Sequence, residues 1–275
     1  MKKMPKPKTR SAARLKLGQI YHTHKRYLFW RFGGINFAKI DDFEPKWQHF
    51  THKTPLIRNL KHADMQLQHN KIINLKIAVA KIDGMVLRPS RTFSFWKAIG
   101  RPTKAKGYLP GMVLQKGRVK AGTGGGLCQL SNLIYWMSLH TPLDITERHR
   151  HGYDVFPDAD RTQPFGSGAT CFYNYGDLMI KNNTTQTFQL KLHVGEKYLQ
   201  GEWASDAPPL YRYEVYEKSH LIQSQYWGGY SRHNLIHRRK YDLHDNLIMD
   251  DFISENHAMM MYNPLIATRD AAEEI

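Results

Sequence analysis

A cysteine stands just behind a run of glycines. In "GTGGGLC", residues 122–128, four of the five positions before Leu127 are glycine. Glycine loses the most backbone freedom on ordering, so such a run needs a reason. Behind it, Leu127, Leu130, Leu133, Ile134 and Met137 recur at three- and four-residue steps as one apolar helical stripe, which Pro142 ends. The spacing places a thiol at a helix amino terminus, where unpaired N–H groups and the helix dipole favour a thiolate. The same N–H groups can hold the oxyanion of an acyl-transfer reaction. On this reading Gly124, Gly125 and Gly126 let a substrate backbone come close. Cys128 falls off the stripe, on a face with Ser131, Asn132 and Tyr135.

A thiol nucleophile takes an imidazole partner to move its proton. "ERHRH", residues 147–151, supplies His149 and His151. On a strand, residues two apart face the same way, so Glu147, His149 and His151 are expected on one side. His151 is read as the catalytic base, with His149 as its alternative. The group orienting the ring is Glu147, Asp154, Asp158 or a backbone carbonyl. Gln129, Ser131 and Arg148, which flank the thiol and the imidazoles, complete the expected substrate-binding set with the three glycines. Cys128, His149 and His151 also suit three legs of a zinc site. A thiol at a helix start argues against zinc, and the expected site uses no metal and no cofactor. The bland alternative is a cysteine acting as a small buried hydrophobe beside core histidines. Cys171 reads as an inert strand residue, and His233, His237, His244 and His257 as structural.

Familiar motifs are missing. A P-loop needs Gly-Lys-Ser/Thr, whereas Gly126 is followed by Leu127 and Cys128. The glycine spacing breaks the dinucleotide fingerprint. There is no HExxH and no CxxC pair.

The elements that must position these residues follow from pattern and punctuation. A helix is expected over 63–82, then a turn and short elements in "DGMVLRPSRTFSFWKAIG", then a strand at 112–114 before the glycines. "LDITERHRHGYDVFP" reads as a strand, and "ATCFYNYGDLMIKNNTTQTFQLKLHV" as a hairpin bending at "NNT". From Tyr211 onward, alternating aromatic and charged residues predict more strands. The fold class is α+β: one catalytic region, its nucleophile helix packed on a mainly antiparallel sheet, with a β-rich carboxyl-terminal section. The expected divisions are a basic arm with a membrane- or core-facing segment over 1–50, a catalytic core over 51–200, and the β-rich section over 201–275.

The 275 residues carry 40 Lys+Arg against 24 Asp+Glu, a net charge of +16 that attracts anionic partners. Residues 1–40 hold eleven Lys or Arg and no acid. The first twenty or so read as a poorly ordered basic arm. The patch "YLFWRFGGINFA" (27–38) is too short and too interrupted to span a membrane, but it could lie on an anionic one. Two cysteines make no disulfide scaffold. With no signal-peptide pattern and no spanning segment, the expected location is cytoplasmic or peripheral to the cytoplasmic membrane. No recognition-helix or RNP-like motif accompanies the charge, so no nucleic-acid partner is expected.

"GGGLCQLSNLIYWMSLHTPLDITERHRHGYDVFPD" resembles the signature of the VanW family, named from vancomycin-resistance clusters. The likeness extends through "FSFWKAIGRPTKAKGYLPGMVL", "PFGSGATCFYNYGDLMIKNNT", "YSRHNLIHRRKYD" and "ENHAMMMYNP". Some proteins with this domain are understood to be cysteine L,D-transpeptidases that cross-link peptidoglycan stem peptides. The resemblance therefore implies that Cys128 is the family's cysteine and His151 its histidine, while His149 marks a closer subgroup. Distant members carry an aspartate where "GSGAT" has Gly168, so this chain must orient its imidazole differently or not at all. Three functions remain open: cysteine acyl transfer or amide cleavage on peptidoglycan peptides or their precursors, a non-catalytic cell-wall or envelope-binding module, and a zinc hydrolase.

Overall fold

The computed structural model describes residues 10–57, 65–115, 117–155 and 163–264. Among the described residues there are four α-helices: α1 (Ala12–Phe32), α2 (Met65–Val79), α3 (Phe95–Ile99) and α4 (Cys128–Leu139). The strands are β1 (Lys39–Ile40), β2 (Trp47–Pro55), β3 (Met85–Leu87), β4 (Thr92–Ser94), β5 (Pro110–Gln115), β6 (Arg118–Thr123) and β7 (Asp144–Glu147). They continue as β8 (Tyr153–Asp154), β9 (Met179–Lys181), β10 (Phe188–Val194), β11 (Tyr198–Ser205), β12 (Arg212–Ser224), β13 (Tyr230–Tyr241) and β14 (Leu247–Met260). The fold is α+β, as the element pattern predicts.

The central sheet runs β1-β3-β10-β11-β2 and is antiparallel throughout. Helix α4 packs on β11. Gly201 has no room for a Cβ beside Met137 (2.7 Å), and the Trp203 indole donates to Ser138 Oγ at 2.9 Å. Trp203, Leu130, Ile134, Phe188 and Leu190 are fully enclosed in one core with Leu75 and Ala78 of α2. A second sheet, β12-β13-β14-β8, carries the long carboxyl-terminal strands, and a small one, β4-β9-β7, supports the site.

Four expectations are corrected. Residues 12–20 are not a loose arm but the first half of α1, capped by Ser11, whose Oγ accepts from Arg14 N–H at 3.4 Å. The sequence hides this helix because none of its residues is fully buried, and the face it does turn inward is held by polar groups. The bend at Asn182–Thr184 is real, with Asn182 Oδ1 accepting from Thr184 N–H, but the flanking strands do not pair with each other. Strand β9 joins β4 and β7, while β10 joins β3 and β11. The strand through the histidines ends at Glu147, so His149 and His151 lie on an irregular segment. Cys171 lies outside any strand. The helix expected over 63–82 is α2, with residues 63 and 64 outside the described residues.

Candidate functional site

The glycine run has a structural explanation. Gly124 and Gly126 take positive φ values of 75° and 93°, a region that side chains avoid. A Cβ on Gly126 would lie 2.2 Å from Lys71 Cγ, and one on Gly124 would lie 2.6 Å from Pro102 Cβ. At Gly125 the contact is backbone on backbone: a Cβ would meet the Gly111 carbonyl at 2.2 Å. Asn74, fully buried on α2, donates to the Gly125 and Leu109 carbonyls and accepts from Leu109 N–H. The glycines thus fold the β6–α4 connection tightly onto β5 and α2. Asn74 carries no motif, and only its inward place on the α2 pattern could have marked it.

Cys128 is the first residue of α4, and it is half-buried. Its Sγ–H donates to the Cys171 carbonyl at 3.8 Å. Burial raises the thiol's pKa, while hydrogen bonding to the Cys171 backbone and to its own backbone opposes the rise. The thiolate-favouring effect expected from the helix start is therefore outweighed by loss of solvent. The Gln129 and Leu130 N–H groups are also occupied, donating to Gly126 and Leu127 carbonyls at 3.0 Å. Cys171 is itself buried, and burial pushes its thiol up as well.

The face expected to open around Cys128 is mostly closed. Ser131 and Tyr135 are buried, and only Asn132 of the three is exposed. Ser131 Oγ donates to the Ala169 carbonyl at 2.7 Å. Gln129 donates to Thr54 Oγ1 and the Pro55 carbonyl, joining α4 to β2. Arg148 donates to the carbonyls of Gly166 and Gly168 and to Asn256 Oδ1, and its guanidinium lies 5.1 Å from the Tyr135 ring. These three residues hold the site together. Gly168 packs on Asn132, whose Oδ1 accepts from Ala169 N–H at 2.8 Å and would lie 2.7 Å from a Cβ.

The acid–imidazole pair is Glu147 with His149. His149 Nε2 lies 2.8 Å from Glu147 Oε1, and the ring tilts against Phe172 at 5.6 Å. Glu147 also accepts two bonds from Arg26 of α1, at 2.7 and 2.6 Å, and one from Asp177 N–H at 3.1 Å. Burial works to raise its pKa, but the bonds from His149 and Arg26 prevail and hold it down at about 2. Beside it, fully buried Asp177 is pushed up to about 6 by burial and by Glu147, against the bonds from Ser94 and Trp96. Arg26 and Asp177 are the residues that sequence reasoning missed.

His151 is kept neutral by burial and by nearby Arg150, and among the described residues its ring has no hydrogen-bond partner. Asp154 is buried on β8, paired to Arg232 at 3.2 Å and bonded by Tyr262 at 3.0 Å. Asp158 lies outside the described residues. Neither imidazole hydrogen-bonds the Cys128 thiol among the described residues. The thiol and His149 instead meet a common segment: Sγ reaches the Cys171 carbonyl, Thr170 N–H donates to the His149 carbonyl at 2.8 Å, and Phe172 touches the His149 ring. Among the described residues no three His, Cys, Asp or Glu side chains gather closely enough to hold a metal, so Cys128, His149 and His151 do not form the ligand set of a zinc site. No helix there is long and apolar enough to cross a membrane.

Residues 70–204 match the family model described as "VanW like protein". Over 152 residues the chain is 34% identical to the Vancomycin B-type resistance protein VanW of Enterococcus faecalis (strain ATCC 700802 / V583), which covers 55% of each chain. Over 118 residues it is 30% identical to the uncharacterized protein YoaR of Bacillus subtilis (strain 168), covering 43% of this chain and 37% of the relative. The chain thus spans about half the length, or less, of these relatives. No solved structure matches. The family match takes in Cys128, Glu147, His149 and Asp177 and leaves Arg26 outside. The segment that builds the thiol and its acid–imidazole pair, residues 70–204, belongs to the VanW-like family.

Proposed function

We propose that this protein carries out thiol-dependent acyl transfer, or amide cleavage, on peptidoglycan stem peptides or their precursors, in the setting of glycopeptide resistance. The observation that carries the reading is Cys128 in the first turn of α4, its thiol bonded to the same three-residue segment that touches the Glu147-held His149. In the reaction Sγ attacks the carbonyl carbon of a stem-peptide amide. The thiol proton passes to the imidazole and then to the departing amine. An amine of a second stem, or water, opens the thioester and returns the thiol. The resting thiol is protonated, so substrate must displace the Cys171 carbonyl from the Sγ–H before attack. Catalytic hydrogen bonds that form only with substrate bound fit this picture.

The raised thiol pKa and its backbone partner favour a second reading, a non-catalytic envelope-binding module. One experiment separates the two. The full chain is incubated with a tetrapeptide stem, quenched in acid and digested, and the peptide bearing Cys128 is weighed. A mass increase equal to the acyl fragment, absent in Cys128→Ala, supports acyl transfer. No adduct and equal turnover in both proteins would end it, and sacculus binding unchanged in Cys128→Ala would then support the module.

A further inference from the structure

Helix α1 has two unlike faces. Its inner face is fastened by polar groups: Arg26 clamps Glu147 and donates to the Tyr175 carbonyl, and Tyr27 Oη lies 2.6 Å from Tyr173 Oη. The outer face is apolar and bare. Leu17, Tyr21, Leu28 and Phe32 are 68%, 62%, 59% and 76% exposed. Their spacing of four, seven and four residues returns each to the same side of a 3.6-residue helix, opposite Arg26 and Trp30. Exposed cations border the stripe, Arg14 and Lys25 on one flank and Arg31 on the other. No acid occurs before Asp41.

We propose that α1 is an interfacial helix that lays this stripe into the headgroup region of an anionic lipid bilayer. Four large apolar side chains facing water along a helix of about 30 Å gain by entering the acyl boundary. The bordering cations meet anionic headgroups, each basic residue near such a surface adding about 1 kcal/mol. The charge also says what does not cover the stripe: a second copy would bring two acid-free, cationic helices face to face. Nucleic acid meets the charge but offers no apolar phase for Leu17 and Leu28. Because Arg26 on the opposite face grips Glu147, the docked helix holds the Cys128 region at the bilayer surface.

The test is vesicle flotation of the full 275-residue chain. Phosphatidylcholine vesicles are compared with vesicles holding a quarter phosphatidylglycerol, in low and high salt. The expected result is flotation with the anionic vesicles, little with the neutral ones, and loss at high salt. Leu17→Glu/Leu28→Glu lowers partitioning at least about tenfold, and Lys25→Gln/Arg31→Gln does so to a similar degree. All four positions are exposed, so thermal melting of the variants stays unchanged. Should the double glutamate variant melt early, Tyr21→Ser/Phe32→Ser replaces it as the probe of the stripe. The proposal is overturned by absence of flotation, by equal flotation with neutral vesicles, or by flotation that survives loss of the stripe. Lipid-free dimerisation abolished by the same substitutions would overturn it too, by making the stripe a self-association surface.

Discussion

Arg26 and Glu147, 121 residues apart, form a two-bond ion pair that fastens helix α1 to the end of β7. Both side chains are largely buried, at 11% and 20% exposure, and Glu147 uses the same oxygen to hold His149. The position of the imidazole therefore depends on a residue outside the family match.

Arg26→Gln leaves Glu147 without its two-bond cationic partner. Breaking a largely buried pair by removing one partner costs about 3 kcal/mol. Denaturant melts should show that loss, with part of it recovered in Arg26→Gln/Glu147→Gln. Arg26→Lys should recover less than half, because an ammonium cannot make both bonds.

Asp177 makes stability fall as pH rises. Folded, its pKa is raised from 3.8 to about 6, mainly by burial, so between those values the native state holds a proton that the unfolded chain has released. That difference costs about 3 kcal/mol across the window. Asp177→Asn resembles the protonated acid and should flatten this limb between about pH 4 and pH 6, as read by melts at a series of pH values. Glu147 has the opposite sign. Its contribution is complete above its ordinary 4.5 and is lost as pH falls toward about 2.

Alkylation of the free protein should be slow at neutral pH. Burial raises the Cys128 thiol above its ordinary value, so iodoacetamide labelling should climb only in alkaline solution. Digestion and mass analysis separate Cys128 from Cys171, whose thiol is raised further. Faster labelling of Cys128 with stem peptide bound would show substrate releasing the Sγ–H from its carbonyl; a Cys128 labelled as readily at pH 6 as at pH 9 contradicts the resting state described.

Gly126→Ala combines a forbidden φ with a collision against Lys71, and Gly125→Ala forces two backbones apart. Each should cost about 2–4 kcal/mol in a melt. Lys71→Ala beside Gly126→Ala should recover only part of the loss, because the Lys71 Cβ at 2.9 Å and the strain of the positive φ both remain.

Periodicity made α4 legible, because it buries Leu130, Leu133 and Ile134 against the core and shows them in its spacing. Helix α2 was legible as a helix, but its buried face of Gln68, Lys71, Asn74, Leu75, Ala78 and Val79 is largely polar and did not stand out. Helix α1 left no such trace, since its inner face is joined by Arg26 and Tyr27 to partners far along the chain. The turn at Asn182–Thr184 was readable from its side-chain bonds. The partners of its strands were not, because pairing of β9 and β10 is decided by what lies beside them. At the site, the residue types of the thiol and the acid–imidazole pair were legible. The direction of the Cys128 shift was not, because it depends on how much water reaches the sulfur.

Strand β2 pairs with β11 from Tyr198↔Pro55 to Ser205↔Trp47, and β11 supplies the Trp203 that α4 packs against. The central sheet therefore cannot close until some 150 residues beyond its outer strand have left the ribosome, given that Thr51 and Gly201 hydrogen-bond across that separation. Ordering so distant a pairing is slow, because the intervening chain must be confined before any contact rewards it. A nascent chain halted near residue 197 has the glycine turn with its supports on β5 and α2, but its thiol helix lacks the strand that would close beneath it, leaving Met137 and Ser138 without Gly201 and Trp203.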